Sequence, residues 1–230
     1  MRAVIHPPES VSHIMRTLSE QGYESYVVGG CVRDALLGNE PKDWDIATSA
    51  LPAVVKGIFP KTADTGLKHG TVSVLMSGEA VEITTFRIDG KYEDNRHPDR
   101  VEFTSRLEDD LSRRDFTINA MAWSEETGII DLFGGREDLA AGRIRTVGLP
   151  DERFHEDALR MLRAVRFAAR LGFDLDEQTL EGITANSGLI VNISSERIRE
   201  ELNGILTADY PMKFQLLRAT GLLKEILPEV

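Results

Sequence analysis

Short β-prone runs separated by glycines and brief helical stretches fill the chain to about residue 148, and beyond residue 150 they cease. Tyr26–Val28, Asp43–Ala47, Thr71–Met76, Ala80–Phe86 and Ile129–Leu132 read as strands, from β-branched content or from polar and apolar alternation. Ser77-Gly78-Glu79 turns the third into the fourth as a hairpin. Between them the spacing predicts helices over 11–22, closing at Gly22, and over Val32–Leu37, stopped by Gly38. Further helices are expected from Leu51-Pro52 to Phe59, over Asp115–Trp123, and after Gly134-Gly135. Residues 87–100 are charged, contain Gly90 and Pro98, and read as a loop or extended excursion. Residues 151–171, 176–186, 194–207 and 211–223 then read as helices with no strand among them. The third is the clearest, since Ile198, Leu202, Ile205 and Leu206 recur at i, i+4, i+7 and i+8 behind Ser194-Ser195. The pattern is an α/β head followed by a helical segment.

Composition narrows the setting. No stretch of the 230 residues is apolar for the length a bilayer requires, so no membrane role is expected. Met1 to Pro8 carries no signal-peptide core. The single cysteine, Cys31, excludes an intrachain disulfide framework and fits a reducing compartment. Cytoplasm is the expected location. The net charge of −11 opposes a general nucleic-acid scaffold, because phosphate backbones are bound mainly through Lys and Arg. Any RNA role must rest on local clusters or on regions outside this chain. The ending Ile-Leu-Pro-Glu-Val, directly after an apolar helical pattern, reads as a cut within a longer protein.

Chemistry concentrates in three places. In the first, Gly29-Gly30-Cys31-Val32-Arg33-Asp34 precedes Asp43-Trp44-Asp45. Carboxylates at i and i+2 on a strand share a face, while Trp44 and Ile46 turn to the core. Mg²⁺ typically takes one or two such carboxylates together with substrate phosphates. The glycines end a strand and open a helix, where free N–H groups and the helix dipole favour a phosphate. Arg33, in the first turn, is within reach of the same phosphates. An Asp-x-Asp or a Gly-Gly turn alone is common on plain surface. Together, in this order, they resemble the polymerase-beta-type nucleotidyltransferases. That resemblance implies a third acidic residue on a neighbouring strand, and Glu82 in Val81-Glu82-Ile83 fits it.

The second place is Arg113-Arg114-Asp115-Phe116-Thr117-Ile118-Asn119-Ala120, a charged turn before an expected helix. Guanidinium forks there suit phosphate or ribose oxygens. The third is His155-Glu156-Asp157-Ala158-Leu159-Arg160-Met161-Leu162-Arg163-Ala164-Val165-Arg166. On one helix Asp157 and Arg160 would share a face. An Asp accepts from the exocyclic amine of cytosine or adenine, and an Arg donates to ring nitrogens or a carbonyl. Arg163 and Arg166 continue along that helix. Taken alone, such a stretch is an exposed helix with intrahelical ion pairs.

These segments, in order over roughly residues 22–206, resemble the class II CCA-adding enzymes and bacterial poly(A) polymerases. The resemblance implies a polymerase-beta-type head of mixed sheet with flanking helices over 1–148. A helical neck over 149–208 and the start of a truncated body over 209–230 would follow. It implies nucleotide binding by Gly29, Gly30, Arg33, Arg114, Asp115, Asp157, Arg160, Arg163 and Arg166, with Arg114 on the ribose. Catalysis would fall to Asp43, Asp45 and Glu82, with Mg²⁺ on the two aspartates. Asp131-Leu132-Phe133-Gly134-Gly135 matches a hinge motif, and Ser195–Leu202 a motif stabilising the neck. The implied reaction adds CCA from CTP and ATP to the tRNA 3′ end, with RNA binding completed by C-terminal regions absent here. Gly66–Val72 is similar to the CCA-adding branch, and Asp89–Pro98 resembles the flexible loop that CC-adding enzymes typically lack. Addition of A or CC alone, poly(A) synthesis, and a non-catalytic nucleotide-binding module stay open.

Overall fold

The computed structural model describes residues 5–76, 78–90 and 101–229, which fall into two compact units. The first takes in the described parts of Met1–Asp89, Val101–Arg114 and Asn119–Gly135. Along it run α1 (Glu9–Glu20), β1 (Ser25–Val28), α2 (Gly30–Leu36), β2 (Asp45–Thr48), α3 (Pro52–Ile58) and β3 (Thr62–Gly66). There follow β4 (Thr71–Met76), β5 (Glu79–Thr85), β6 (Arg87–Asp89), β7 (Val101–Phe103), α4 (Leu107–Ser112), β8 (Met121–Ser124) and β9 (Gly128–Asp131). Seven strands form one mixed sheet in the order β3-β4-β5-β2-β1-β8-β9. Only the β2–β5 pair within it is parallel.

The sheet forms where the sequence is apolar on both faces. Val27, Val28, Ile46, Ala47, Met121 and Ala122 are all buried along its centre. Central strands covered on both sides lose the period-two signal, which is why Met121–Ser124 had looked helical. The helix expected over Asp115–Trp123 is instead a 3-10 turn at Thr117–Asn119 followed by β8. Three further strands carried no local signal. The polar β3, Thr-Ala-Asp-Thr-Gly, is a strand because β4 pairs with it. At the foot of the expected excursion, β6 and β7 pair antiparallel, Arg87 opposite Phe103. Residues 91–100, and with them most of the loop-like segment, lie outside the described residues. Helix α1 needs no such help, since Val11, Ile14, Met15 and Leu18 form one buried stripe at helical spacing.

The second unit comprises Asp115–Ile118 and the described part of Arg136–Val230, with Gly90. Its elements are α5 (Gly135–Ala141, entered from the first unit), β10 (Arg143–Ile144), α6 (Pro150–Glu156), α7 (Leu159–Leu171), β11 (Asp174–Leu175), α8 (Glu177–Asn186), α9 (Ser195–Leu206), α10 (Gln215–Ala219) and α11 (Leu222–Ile226). Helix α7 is its axis: Leu159, Met161, Leu162, Ala164, Val165, Ala168 and Ala169 are buried in a cluster with Phe116, Phe154, Ile183, Ile190 and Ile205. Ile198 and Leu202 pack on the same cluster, whereas Leu206, expected on that face, is 55% exposed at the helix end.

Three readings of this half change. The helix expected over 151–171 breaks at Asp157, whose backbone is extended at φ −141° and ψ 103°. The helix expected over 211–223 is a 3-10 turn at Pro211–Phe214 and two short helices, interrupted at Gly221 with φ +82°. Where no strand was expected, β11 pairs in parallel with β10. Among the described residues no helix is long and apolar enough to cross a membrane.

Candidate active site

In the first unit, β1 ends at Val28 and the chain turns through Gly29, at φ +79° and ψ −127°, into α2. That conformation disfavours any L side chain. A second constraint acts on the same residue: a Cβ there would lie 2.8 Å from Nη1 of Arg114. Gly30 is under no such pressure, its nearest neighbour being Arg33 at 3.6 Å.

Strand β2 begins at Asp45, so Asp43 lies just before the strand rather than on it. Asp43 and Asp45 are exposed, Trp44 is half-buried and Ile46 is buried, the division expected of them. Asp45 stands in register with Glu82 of the parallel neighbour β5. Crowding by surrounding protein pushes the Asp45 carboxyl above its ordinary range. The charge of Glu82 adds to this, Arg114 opposes it, and Asp43 raises it further. A carboxylate whose proton affinity is raised by burial and by neighbouring negative charge, as at Asp45, is relieved by a cation, and hard oxygen donors suit a divalent one. Among the described residues no three His, Cys, Asp or Glu side chains converge on one point. Burial pushes the neighbouring Cys31 thiol up to about 11, and its Sγ donates to Val28 O.

Arg33 is 3% exposed. Its Nη1 donates to Asn119 Oδ1 at 2.5 Å and its Nε to Asp34 Oδ1 at 2.8 Å. The sequence had this guanidinium reaching for phosphate; here it ties α2 to the turn before β8. Arg114 is held at the end of α4 by Asp110, which accepts from its Nη2 at 3.1 Å. Arg113 donates to the other oxygen of the same carboxylate, from Nε at 3.0 Å and Nη2 at 2.6 Å. Burial would raise the Asp110 carboxyl, but Arg114 and Arg113 together hold it below the usual range. Sequence reasoning missed Asp110 and the side-chain role of Asn119. The available signal was Asp110 at three and four residues before the two arginines, the spacing of helical ion pairs.

In the second unit, Asp115 accepts from Nε and Nη2 of Arg163 at 2.9 and 2.7 Å. Asp115 raises the pKa of Arg163 against the effect of burial, and the guanidinium lies 5.4 Å over the Phe167 ring. Asp157 is not on the helical face assigned to it. From its extended position it accepts Leu159 N through Oδ1 at 3.0 Å and Arg197 Nη2 through Oδ2 at 3.0 Å. Arg160 is 8% exposed and engaged by Glu156 and by Arg153 O. Arg166 pairs with Glu201 at 3.2 Å and crosses α9 at Gly204, where a Cβ would meet its Nε at 2.6 Å. Helix α7 thus presents Arg160, Arg163 and Arg166 at three-residue spacing, each with a carboxylate partner. Arg197 and Glu201 belong to the stretch read from sequence as purely structural.

A separate cavity of about 560 Å³ is lined by Arg16, Tyr23, Tyr26, Trp123 and Glu126 among others. None of the expected site residues borders it.

A mixed sheet carrying clustered carboxylates beyond a Gly-Gly turn, joined in sequence to a helical unit with an arginine-bearing helix, defines a nucleotidyltransferase-type architecture. Residues 25–145 match the poly A polymerase head domain, and residues 172–230 match a probable RNA and SrmB-binding site of polymerase A. The chain belongs to the poly A polymerase head domain family. It is 52% identical over 204 residues to the CCA-adding enzyme of Limosilactobacillus reuteri, covering 89% of this chain and 51% of that protein. It is 53% identical over 217 residues to that of Geobacillus thermodenitrificans, covering 94% and 54%. A crystal structure of the Bacillus stearothermophilus CCA-adding enzyme in complex with CTP superposes with a TM-score of 0.88 at 49% identity, over 94% of this chain and 53% of that one. The Thermotoga maritima CCA-adding enzyme complexed with tRNA gives 0.81 at 29% identity, over 98% and 54%. The chain spans about half the length of the curated relatives it matches.

Proposed function

We propose that this chain is the catalytic part of a template-independent tRNA nucleotidyltransferase that adds CCA to the tRNA 3′ end from CTP and ATP, releasing pyrophosphate. The observation that carries this is the register of Asp45 with Glu82, with Asp43 two residues away, on a sheet whose β1 ends in the Gly29 turn. The relatives named as CCA-adding enzymes, and the solved complexes with CTP and tRNA, support the choice of substrates. In this reading residues 1–148 are the head, 149–208 the neck and 209–230 the start of a body whose remainder completes tRNA binding. A cytoplasmic location fits the substrate.

Asp43 and Asp45 would hold divalent cations, Mg²⁺ by preference, with Glu82 alongside. Cations held there would supply charge neutralisation for a departing pyrophosphate and would ease deprotonation of the attacking 3′-hydroxyl. The Gly29-Gly30 turn lets polyphosphate approach the backbone closely, and Arg114 contacts the ribose. Arg33 acts from beneath, holding α2 and Asn119 in place. Asp157 and Arg160 read the base edge, with their rotamers set by Arg197 and Glu156; Arg163 and Arg166, oriented by Asp115 and Glu201, serve the sugar and phosphates. Fixing such groups in advance is what makes selection by hydrogen bonding effective.

The test is incubation of tRNA lacking its 3′-terminal trinucleotide with labelled CTP, ATP or both, followed by sequencing of the products. CCA requiring both nucleotides and Mg²⁺, and lost in Asp43→Asn and Asp45→Asn, is the expected result. Products ending in A, CC or poly(A) would each redefine the activity. Nucleotide binding without incorporation would make the chain a binding module.

A further inference from the structure

Among the described residues of the first unit is a buried carboxylate that the proposed chemistry does not use. Asp110 is fully buried, on a helix, with both carboxylate oxygens occupied. Burying a carboxylate is costly, and an apolar residue of similar size generally serves packing as well. Packing alone therefore does not account for an acid here; its partners do. Arg113 sits on one oxygen and Arg114 on the other.

The rest of the Arg114 side chain is weakly held. Its Nη1 reaches Asn119 O only at 3.5 Å, at the outer limit of a hydrogen bond. Its Nε is buried and without a partner among the described residues. Nη1 also occupies the space that a side chain on residue 29 would take. The guanidinium is thus pressed against the Gly-Gly turn, within electrostatic reach of Asp45, and one carboxylate keeps it there.

We infer that Asp110 is a positioning residue for nucleotide recognition: from inside the head it fixes the Arg114 fork against Gly29, in the orientation that reads the ribose of a bound nucleoside triphosphate. This rests on the function proposed above and deepens it. Asp110 touches no substrate; it acts through Arg114. A guanidinium held at one end by a rigid carboxylate loses less freedom on meeting a sugar hydroxyl than a mobile one does.

The experiment measures equilibrium binding of CTP and 2′-deoxy-CTP to the 230-residue chain by calorimetry, with Mg²⁺ present. Wild type is expected to favour CTP. Asp110→Asn is expected to lower CTP affinity by about tenfold, equivalent to ~1.4 kcal/mol, while changing deoxy-CTP affinity far less, so that the preference collapses. In an Arg114→Ala background the same substitution should leave the ratio where Arg114→Ala alone put it. A purely structural role would weaken both ligands alike and add to the Arg114 effect, and that pattern overturns the inference. If Asp110→Asn does not fold, Asp110→Glu is measured instead. It keeps the charge but moves it by one methylene, and is expected to cut the ratio by about threefold or more, the effect of a strained charged hydrogen bond. An unchanged ratio in whichever variant folds overturns the inference. A wild-type chain that binds neither nucleotide overturns the function itself, an outcome distinct from normal binding with an insensitive ratio.

Discussion

Asp45 and Glu82 face each other across β2 and β5, the only parallel strand pair in the seven-stranded sheet among the described residues. Residues paired in register on neighbouring strands project to the same face of the sheet, so the two carboxyls emerge side by side. Crowding by protein and the Glu82 charge make the Asp45 carboxylate harder to form.

A raised carboxyl pKa has a defined consequence for stability. Between the unfolded and folded pKa values the native state binds more protons, so stability falls as pH rises through that window and stays lower above it. At neutral pH without metal, Asp45→Asn is therefore expected to raise Tm slightly. Millimolar Mg²⁺ should raise the Tm of wild type and have little effect on the variant. Thermal unfolding with and without Mg²⁺ checks this, and equal responses from both proteins would remove Asp45 from the metal site.

The opposite sign applies to Asp110. Burial alone would raise it, but Arg114 and Arg113 prevail and its folded pKa lies below the ordinary value. Its contribution is present above the unfolded pKa, about 3.9, and is lost as pH falls toward the folded one. Asp110→Asn is expected to cost about 3 kcal/mol at neutral pH, the effect of breaking one side of a buried ion pair. It should also flatten the acid limb of the stability curve below about pH 4. Urea denaturation across pH reads both; a parallel curve merely shifted downward would show that the charge of Asp110 is not what matters.

Gly182 sets two effects against each other. In the interior of α8, Gly→Ala ordinarily stabilises by about 1 kcal/mol. Here the added Cβ would lie 2.5 Å from Pro150 Cβ and 3.2 Å from Phe154 Cε2, both of limited freedom. Overpacking costs roughly 1–3 kcal/mol, so the net change is expected to be a loss of up to about 2 kcal/mol and a Tm lower by several degrees. A stabilised Gly182→Ala would mean that α6 and α8 are less tightly apposed than described.

Arg197 donates to Asp157 across 40 residues of sequence. If Asp157 reads the base edge, Arg197→Gln should weaken discrimination against UTP by about tenfold, the scale of one charged hydrogen bond, with CTP incorporation itself less affected. Competition assays between CTP and UTP measure this. An equal loss for both nucleotides would make Arg197 a stabilising residue only.

The residue types of the candidate site were legible in the sequence. Asp43-Trp44-Asp45, the Gly29-Gly30 turn, the Arg113–Ala120 run and the arginines of α7 are contiguous motifs whose residue types suit the metal, phosphate and base roles proposed for them. The stripe of α1 was equally plain, because one face of that helix is buried and the other is not. Tertiary structure decided everything that depends on a partner distant in the chain. It made β8 a strand, since a segment buried on both faces has no period to read, and β3 a strand because β4 supplies its hydrogen bonds. It put Glu82 opposite Asp45 through a register that no local pattern encodes. It moved Asp157 off the helix into the grip of Arg197, and gave Arg33 to Asn119 and Arg114 to Asp110. Residue type is a local property and announces what a side chain can do; its bonding partner depends on chain closure over tens of residues, which only the packed fold supplies.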